Sequence, residues 1–182
     1  MLTKDEIATL TANETIRESQ TAPILILEFA DVNCYYCQRQ IAIERTVQTV
    51  MEQFPGTIKS IFKHMPVLDS YEEAQIIECF GEQSDATTYH QFLEQTFATA
   101  DGNIETLYTL AEEFGKDSEK IRSCVNNETF INKIERQRTE GENFEISGTP
   151  SSVIINTRTG EYVIVAGAYP VEAFIEALKE IL

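Results

Sequence analysis

The stretch Ile24-Leu25-Ile26-Leu27-Glu28-Phe29-Ala30-Asp31-Val32-Asn33-Cys34-Tyr35-Tyr36-Cys37 carries the most information in this chain. Its first seven residues form an almost unbroken apolar run rich in branched side chains. That composition predicts a central strand buried on both faces. Asp31-Val32-Asn33 then supplies helix-capping side chains, and Cys34 falls where a helix would begin. From Gln38 onward Ile43, Val47, Val50, Met51 and Phe54 recur at helical spacing, and Pro55-Gly56 stops the pattern. Thr57 to His64 alternates as a second strand, with Ile58, Ser60 and Phe62 on one face. Strand, helix, strand in this order is a βαβ unit, which implies a parallel pair.

Cys34 and Cys37 are the candidate chemistry. Spacing i, i+3 on one helical turn brings two sulfurs within bridging reach. Cys34 sits at the helix start, where unpaired N–H groups and the positive end of the helix dipole stabilise a thiolate. Cys37 lies one turn in, more shielded, and suits a resolving thiol. A C-x-x-C after the first strand of a βαβ unit is a specific redox signal. The competing readings are half a zinc site and an inert bridge. A zinc site needs two further ligands, and the sequence has no second C-x-x-C and no H-x₃-H.

Outward from this unit, residues 1–22 are polar and read as a short helix and a lead-in. Between Ser70 and about Asn143 helical patterns recur over Tyr71–Gln83, Thr87–Thr99, Ile104–Phe114, Ser118–Cys124 and Phe130–Arg138, with no convincing strand. Ser152–Asn156 and Tyr162–Ala166 form a hairpin around Thr157–Gly160, and Pro170 starts a last amphipathic helix. The 182 residues, 42% hydrophobic, suffice for one globular domain carrying an insertion. A formal net charge of −16 argues against nucleic acid and anionic membrane as partners. No apolar run approaches a membrane span, and MLTKDEIATL lacks the pattern of a signal peptide. The two Asn-x-Thr triplets, at Asn13 and Asn127, are chance-level matches.

Gly148-Thr149-Pro150 precedes the hairpin. A proline there gives no ladder N–H, so it marks a strand start or an unusual backbone. With the βαβ half, the C-x-x-C and the helical insertion, this arrangement resembles the thioredoxin superfamily, and the insertion points to its DsbA-like branch. Leu27-Glu28-Phe29-Ala30-Asp31, Ser147-Gly148-Thr149-Pro150 and Ala166-Gly167-Ala168-Tyr169-Pro170 carry the similarity, which spans residues 24–182. The resemblance implies an α/β thioredoxin fold, a central mixed sheet flanked by helices. Residues 1–23 would be the lead-in, 24–69 and 144–182 the thioredoxin part, and 70–143 an all-helical insertion. It implies Cys34 as nucleophile, Cys37 as resolving thiol, Pro150 as a cis-proline facing them, and Thr149 as the residue whose backbone meets a bound substrate strand. Tyr35-Tyr36 departs from the Pro-His type of dipeptide found in strongly oxidising members, so no imidazole stands beside Cys34.

Cys79 and Cys124 both fall in the insertion, where related proteins often carry a second pair. A structural bridge is the expectation, and two buried free thiols are the alternative. Glu28 is either a buried carboxylate that relays a proton to Cys37 or a solvent-facing residue paired with a lysine. His64 and His90 read as solvated or core histidines, and the remaining acidic residues as a solvated surface. The expected activity is thiol–disulfide exchange on protein substrates with free thiols or disulfides, forming disulfides outside the cytoplasm, in the periplasm or cell envelope. No cofactor and no metal are expected. A membrane redox partner would recharge the pair, the chain would act as a monomer, and any signal or anchor would have been removed. The alternatives are the same scaffold run as a reductase or isomerase, and a non-catalytic module that binds extended peptides.

Overall fold

Every residue of the strand Ile24–Ala30 is buried, and the strand lies at the centre of a five-stranded sheet. The computed structural model describes all 182 residues, Met1–Leu182. The elements in chain order are α1 (Lys4–Thr11), β1 (Ile16–Arg17), β2 (Ile24–Ala30), α2 (Tyr35–Gln38), a π-helical turn over Arg39–Ile43, α3 (Thr46–Gln53) and β3 (Ile58–His64). There follow α4 (Tyr71–Gly81), α5 (Ala86–Thr99), α6 (Ile104–Glu113), α7 (Ser118–Asn126), α8 (Ile131–Asn143), β4 (Ser151–Asn156), β5 (Tyr162–Ala166) and α9 (Val171–Ile181). Strand order is β1-β3-β2-β4-β5. The β2–β3 pair is parallel, as the βαβ reading requires, and the other pairs are antiparallel, so the sheet is mixed. This is a thioredoxin fold with a helical insertion, α4 to α8, between β3 and β4. No helix is long and apolar enough to cross a membrane.

Three differences from the sequence reading have physical causes. The two-residue strand β1 extends the sheet at β3 and has too few residues for a periodic pattern. The first helix is not continuous. A π-helical turn follows α2, and Arg45 adopts a left-handed conformation (φ 48°) before α3 starts. π turns of this kind recur at functional sites. Helix α8 runs on to Asn143 although its last turns are polar, because charge pairs replace an apolar stripe. Arg136 pairs with Glu140 at 3.5 Å and Arg138 with Glu142 at 3.2 Å, both at i, i+4.

The expectation of an entirely solvated acidic surface also fails. Glu14, Glu78 and Glu140 lie inside a buried ionic network. Lys63, fully buried on β3, reaches Glu140 at 2.7 Å and Glu14 at 2.9 Å. Lys133 reaches Glu78 at 2.6 Å and Glu14 at 3.2 Å. His64 Nε2 lies 2.9 Å from a Glu78 oxygen that also accepts from the Tyr89 hydroxyl. Burial opposes the Glu78 charge, yet His64 and Lys133 outweigh it and hold the carboxyl down at about 2. The network ties the N-terminal segment, β3, α4 and α8 together.

The apolar residues form three clusters. Ile24, Ile26 and Ile58 pack with α3 and α9. Leu25, Leu27 and Phe29, pointing to the other face, pack with α1 and the segment after α8. The largest cluster joins α4–α7 to Ala30, Val32, Phe62 and both redox-motif cysteines. The insertion and the redox helix therefore share one core. Gly141 of α8 marks a close approach: a Cβ there would stand 2.6 Å from Met65 Sδ and 3.2 Å from the Phe29 ring, so Met65 would have to move.

Candidate redox site

The chain leaves β2 through Asp31, whose side chain orders the turn. Its carboxylate accepts from the Asn33 N–H at 2.8 Å and the Leu68 N–H at 2.7 Å, fixing the loop after β3 against the start of α2. Cys34 is the N-cap of α2, with extended backbone (φ −84°, ψ 117°). Helix caps are normally filled by an oxygen that accepts the first free N–H groups. Here a cysteine stands at that position and its side chain makes no cap hydrogen bond. It is 8% exposed, whereas Cys37 is fully buried behind it, and both thiols are free.

The environment separates the two sulfurs electrostatically. A hydrogen bond from the Cys37 thiol is the largest influence on Cys34. Burial opposes ionisation, while Thr149 and the backbone N–H groups of Cys37 and Tyr36 favour it. The net result is a Cys34 thiol held down at about 5, from an ordinary 9.0. Burial, then the neighbouring Cys34 sulfur, push the Cys37 thiol well above its ordinary range.

The segment before β4 closes the site from the opposite side. Thr149–Pro150 is a cis peptide bond, and the Thr149 carbonyl accepts from the Cys34 thiol at 3.3 Å across 115 residues of chain. An open groove of about 410 Å³ runs beside this turn, bounded by Phe144, Ile146, Thr149, Pro150, Ile164 and Gly167. Tyr35 and Tyr36 are exposed, edge to face at 5.4 Å, and Val67, Leu68 and Tyr169 are also exposed. A residue that the sequence reading passed over fixes part of this surface. Arg39 donates to the Ala168 carbonyl at 3.0 Å, pairs with Glu44 at 3.1 Å and lies 5.3 Å from the centre of the Tyr36 ring. It ties the redox helix to the loop before α9.

Glu28 points to the same face of the sheet as Ile24 and Ile26 and is 7% exposed. No lysine pairs with it. Burial pushes its carboxyl up to about 7, against a weaker opposing pull from Arg17 and Gln40. Gln40, fully buried in the π turn, was not singled out by the sequence reading. A glutamine at i+3 from a buried cysteine was the only available signal. His64 and His90 are both buried, His64 in the ionic network at the end of β3 opposite Ala30 and His90 on α5. Cys79 of α4 and Cys124 of α7 form a disulfide with Cα atoms 5.9 Å apart, inside the insertion.

Comparison with known proteins agrees with this geometry. The structure superposes on alpha-DsbA1 of Wolbachia pipientis with a TM-score of 0.79 at 20% identity, covering 98% of this chain and 96% of that one. DsbA2 of Pseudomonas aeruginosa gives 0.76 at 20% identity, covering 93% and 94%. Oxidised BdbD of Bacillus subtilis gives 0.77 at 17% identity, covering 92% and 91%. Among curated proteins, the chain is 24% identical over 170 residues to Na(+)/H(+) antiporter NhaA 3 of Salinispora tropica and equally to NhaA 1 of Salinispora arenicola. The match takes in 90% of this chain but spans only 24% of the length of those relatives. The family model described as Thioredoxin matches residues 11–178. With that match covering nearly its whole length, and with a DsbA-like fold, the chain belongs to the thioredoxin family.

Proposed function

We propose that this chain is a protein thiol–disulfide oxidoreductase whose working pair is Cys34 and Cys37. One observation carries the reading: a partly accessible Cys34 sulfur, ionised near neutral pH at a helix start, stands beside a fully buried Cys37 whose thiol resists ionisation. An inert bridge requires no such asymmetry.

In the oxidising direction a substrate thiolate attacks Cys34 Sγ. A substrate–Cys34 bond forms, the Cys34–Cys37 bond breaks, and its electron pair leaves on Cys37, which takes up a proton. A second substrate thiolate then displaces Cys34, which leaves as a stable thiolate. In the reverse direction Cys34 attacks a substrate disulfide, and Cys37 gives up its proton and releases the product. Glu28 is the assigned proton partner of Cys37, because a buried carboxyl at about 7 both accepts and donates near neutral pH. The Thr149 backbone, already within reach of Cys34, receives an extended substrate strand. Tyr35, Tyr36 and Tyr169 offer apolar contact around the sulfur.

The Cys79–Cys124 bridge supports work in an oxidising compartment, outside the cytoplasm, where such bonds persist. There the pair would be recharged by a membrane redox partner. Tyr35-Tyr36 in place of a histidine-containing pair favours a second reading, the same scaffold acting as reductase or isomerase. Equilibration with glutathione separates the two through the reduction potential. Incubating Cys37→Ala with disulfide-bonded protein substrates tests the activity itself. Mixed disulfides through Cys34 are expected. Their absence, with none of the exchange lost in Cys34→Ala, would remove the proposal.

A further inference from the structure

Two hydrogen bonds cross from the redox segment, residues 34–44, to the wall formed by residues 147–170. The Cys34 thiol donates to the Thr149 carbonyl at 3.3 Å, and Arg39 Nη2 donates to the Ala168 carbonyl at 3.0 Å. The first bond depends on the Cys34 proton. It is lost when Cys34 ionises and when Cys34 enters a disulfide, the two states through which thiol exchange passes. The second has no such dependence, because a guanidinium donates whatever the state of the sulfurs. Arg39 is therefore the side chain that links the two parts at every stage of turnover.

The wall is itself tied together. The Gly167 N–H donates to the Pro150 carbonyl at 2.9 Å, and the Tyr169 N–H donates to the Gly167 carbonyl at 3.0 Å. Gly167 has φ 124°, and a Cβ there would stand 3.2 Å from the Tyr169 ring. Ala168, the residue that Arg39 holds, lies between these two bonds. Holding it fixes Tyr169 on one side and, through Gly167, the Thr149–Pro150 turn on the other.

The backbone is shaped to present Arg39 for this contact. In an α-helix residues five apart point about 140° away from each other. Arg39 opens the π turn, in which the Glu44 N–H donates to the Arg39 carbonyl at 2.9 Å. The turn brings the Glu44 carboxylate to 3.1 Å from Arg39 Nε. The guanidinium also lies over the Tyr36 ring, its central carbon 5.3 Å from the ring centre. One planar group thus serves three neighbours, which a lysine cannot do. The groups that act on Cys34 ionisation are Cys37, Thr149 and the backbone N–H groups of Cys37 and Tyr36, and Arg39 is not among them.

We propose that Arg39 is the positioning residue that keeps the Thr149–Pro150 turn and the Gly167–Tyr169 loop in register with Cys34 during exchange, and that it governs the binding of polypeptide substrates and not the reactivity of the sulfur. The inference rests on Cys34 and Cys37 being the working pair. An extended substrate strand meets the Thr149 backbone and the groove bounded by Pro150, Ile164 and Gly167, so the wall must be in place before the substrate sulfur reaches Cys34 Sγ. A small thiol needs only the sulfur.

The test is the reduction of the oxidised full-length protein by two reductants in excess, dithiothreitol and an unstructured peptide carrying two cysteine thiols. It is run on the native chain, Arg39→Met, Arg39→Lys and Glu44→Gln. In each case the reductant becomes a disulfide as the Cys34–Cys37 bond becomes two thiols. Arg39→Met should raise the half-saturating peptide concentration about tenfold, the loss of one hydrogen bond from a charged donor, and leave the limiting rate within about twofold. Arg39→Lys, which keeps a donor and the charge, should recover part of that loss. The dithiothreitol rate should stay native in all three variants. Hydrogen exchange on oxidised Arg39→Met should be faster at the Gly167 and Tyr169 N–H groups while the β4–β5 ladder stays protected. Glu44→Gln loosens Arg39 without removing it, should raise the half-saturating peptide concentration about threefold, and serves if Arg39→Met does not fold. If peptide half-saturation stays native in both Arg39→Met and Glu44→Gln, or if the dithiothreitol rate falls in step with the peptide rate, Arg39 only stabilises the fold and the proposal is wrong. If the native protein oxidises neither reductant, the assignment of the working pair falls, a result independent of the Arg39 variants.

Discussion

Replacing Cys37 separates the sources of Cys34 reactivity. In the native reduced protein Cys34 should titrate with a midpoint at about 5 against an ordinary 9.0. The shift is downward, so the reduced state gains stability that is full above the ordinary thiol range. That gain is lost as pH falls through 5. At pH 7 a thiol with its midpoint at 5 is ionised to about 99%, and one at 9 to about 1%, so the reduced pair is favoured about 100-fold over one with an ordinary Cys34. For a two-electron couple a tenfold change is about 30 mV, which sets an upper figure of about 60 mV. Solvent screening at a sulfur that still reaches water brings the expected effect to about 30–60 mV in the oxidising direction. The Cys37 thiol is the largest contributor. Cys37→Ala should therefore raise the midpoint, and Cys37→Ser, which keeps a donor, should raise it less. The assay is the rate of iodoacetamide alkylation of Cys34 against pH, with mass spectrometry to identify the site. A native midpoint between 8 and 9, or the same midpoint in the native protein and Cys37→Ala, would refute the reasoning.

Three further predictions concern the frame around the site. Glu28 carries a raised midpoint, so its charge opposes folding above the ordinary carboxyl range and the opposition is complete above 7. Glu28→Gln should leave stability unchanged near pH 4 and raise it by about 3 kcal/mol at pH 8, measured by urea denaturation at both. The Cys79–Cys124 bridge closes a 45-residue separation, worth about 4 kcal/mol in the chain-entropy model. Its double replacement by Ala should lower the melting temperature while exchange rates stay within about twofold. Finally, Lys63→Met removes the cation between Glu14 and Glu140, which keep Lys133 and Arg136 as partners, a loss of about 1.5–3 kcal/mol. Equilibrium denaturation giving less than 1 kcal/mol would mean that water reaches the network.

The sequence determined whatever depends on neighbours in the chain. An unbroken apolar run marked β2, capping side chains marked the start of α2, and the i, i+3 spacing placed Cys37 one turn inside it. That is enough to put Cys34 at the helix start and Cys37 behind it, because the free N–H groups of a helix start are local. Tertiary structure decided which distant groups meet. Thr149 reaches Cys34 across 115 residues because β4 lies beside β2. Four cysteines allow three pairings, and the approach of α4 to α7 selects Cys79 with Cys124. The side on which Glu28 lies and the lack of any lysine against it follow from the packing of α3 and α5 over the sheet. A carboxylate in an apolar run has the same sequence signature whether it is buried or lifted into water. Glu14, Lys63, Glu78, Lys133 and Glu140 look like ordinary surface charges when read in order. They become a buried network only when β3, α4 and α8 converge, since burial of a charge is a property of the surrounding volume and the partners in it, which no local pattern encodes.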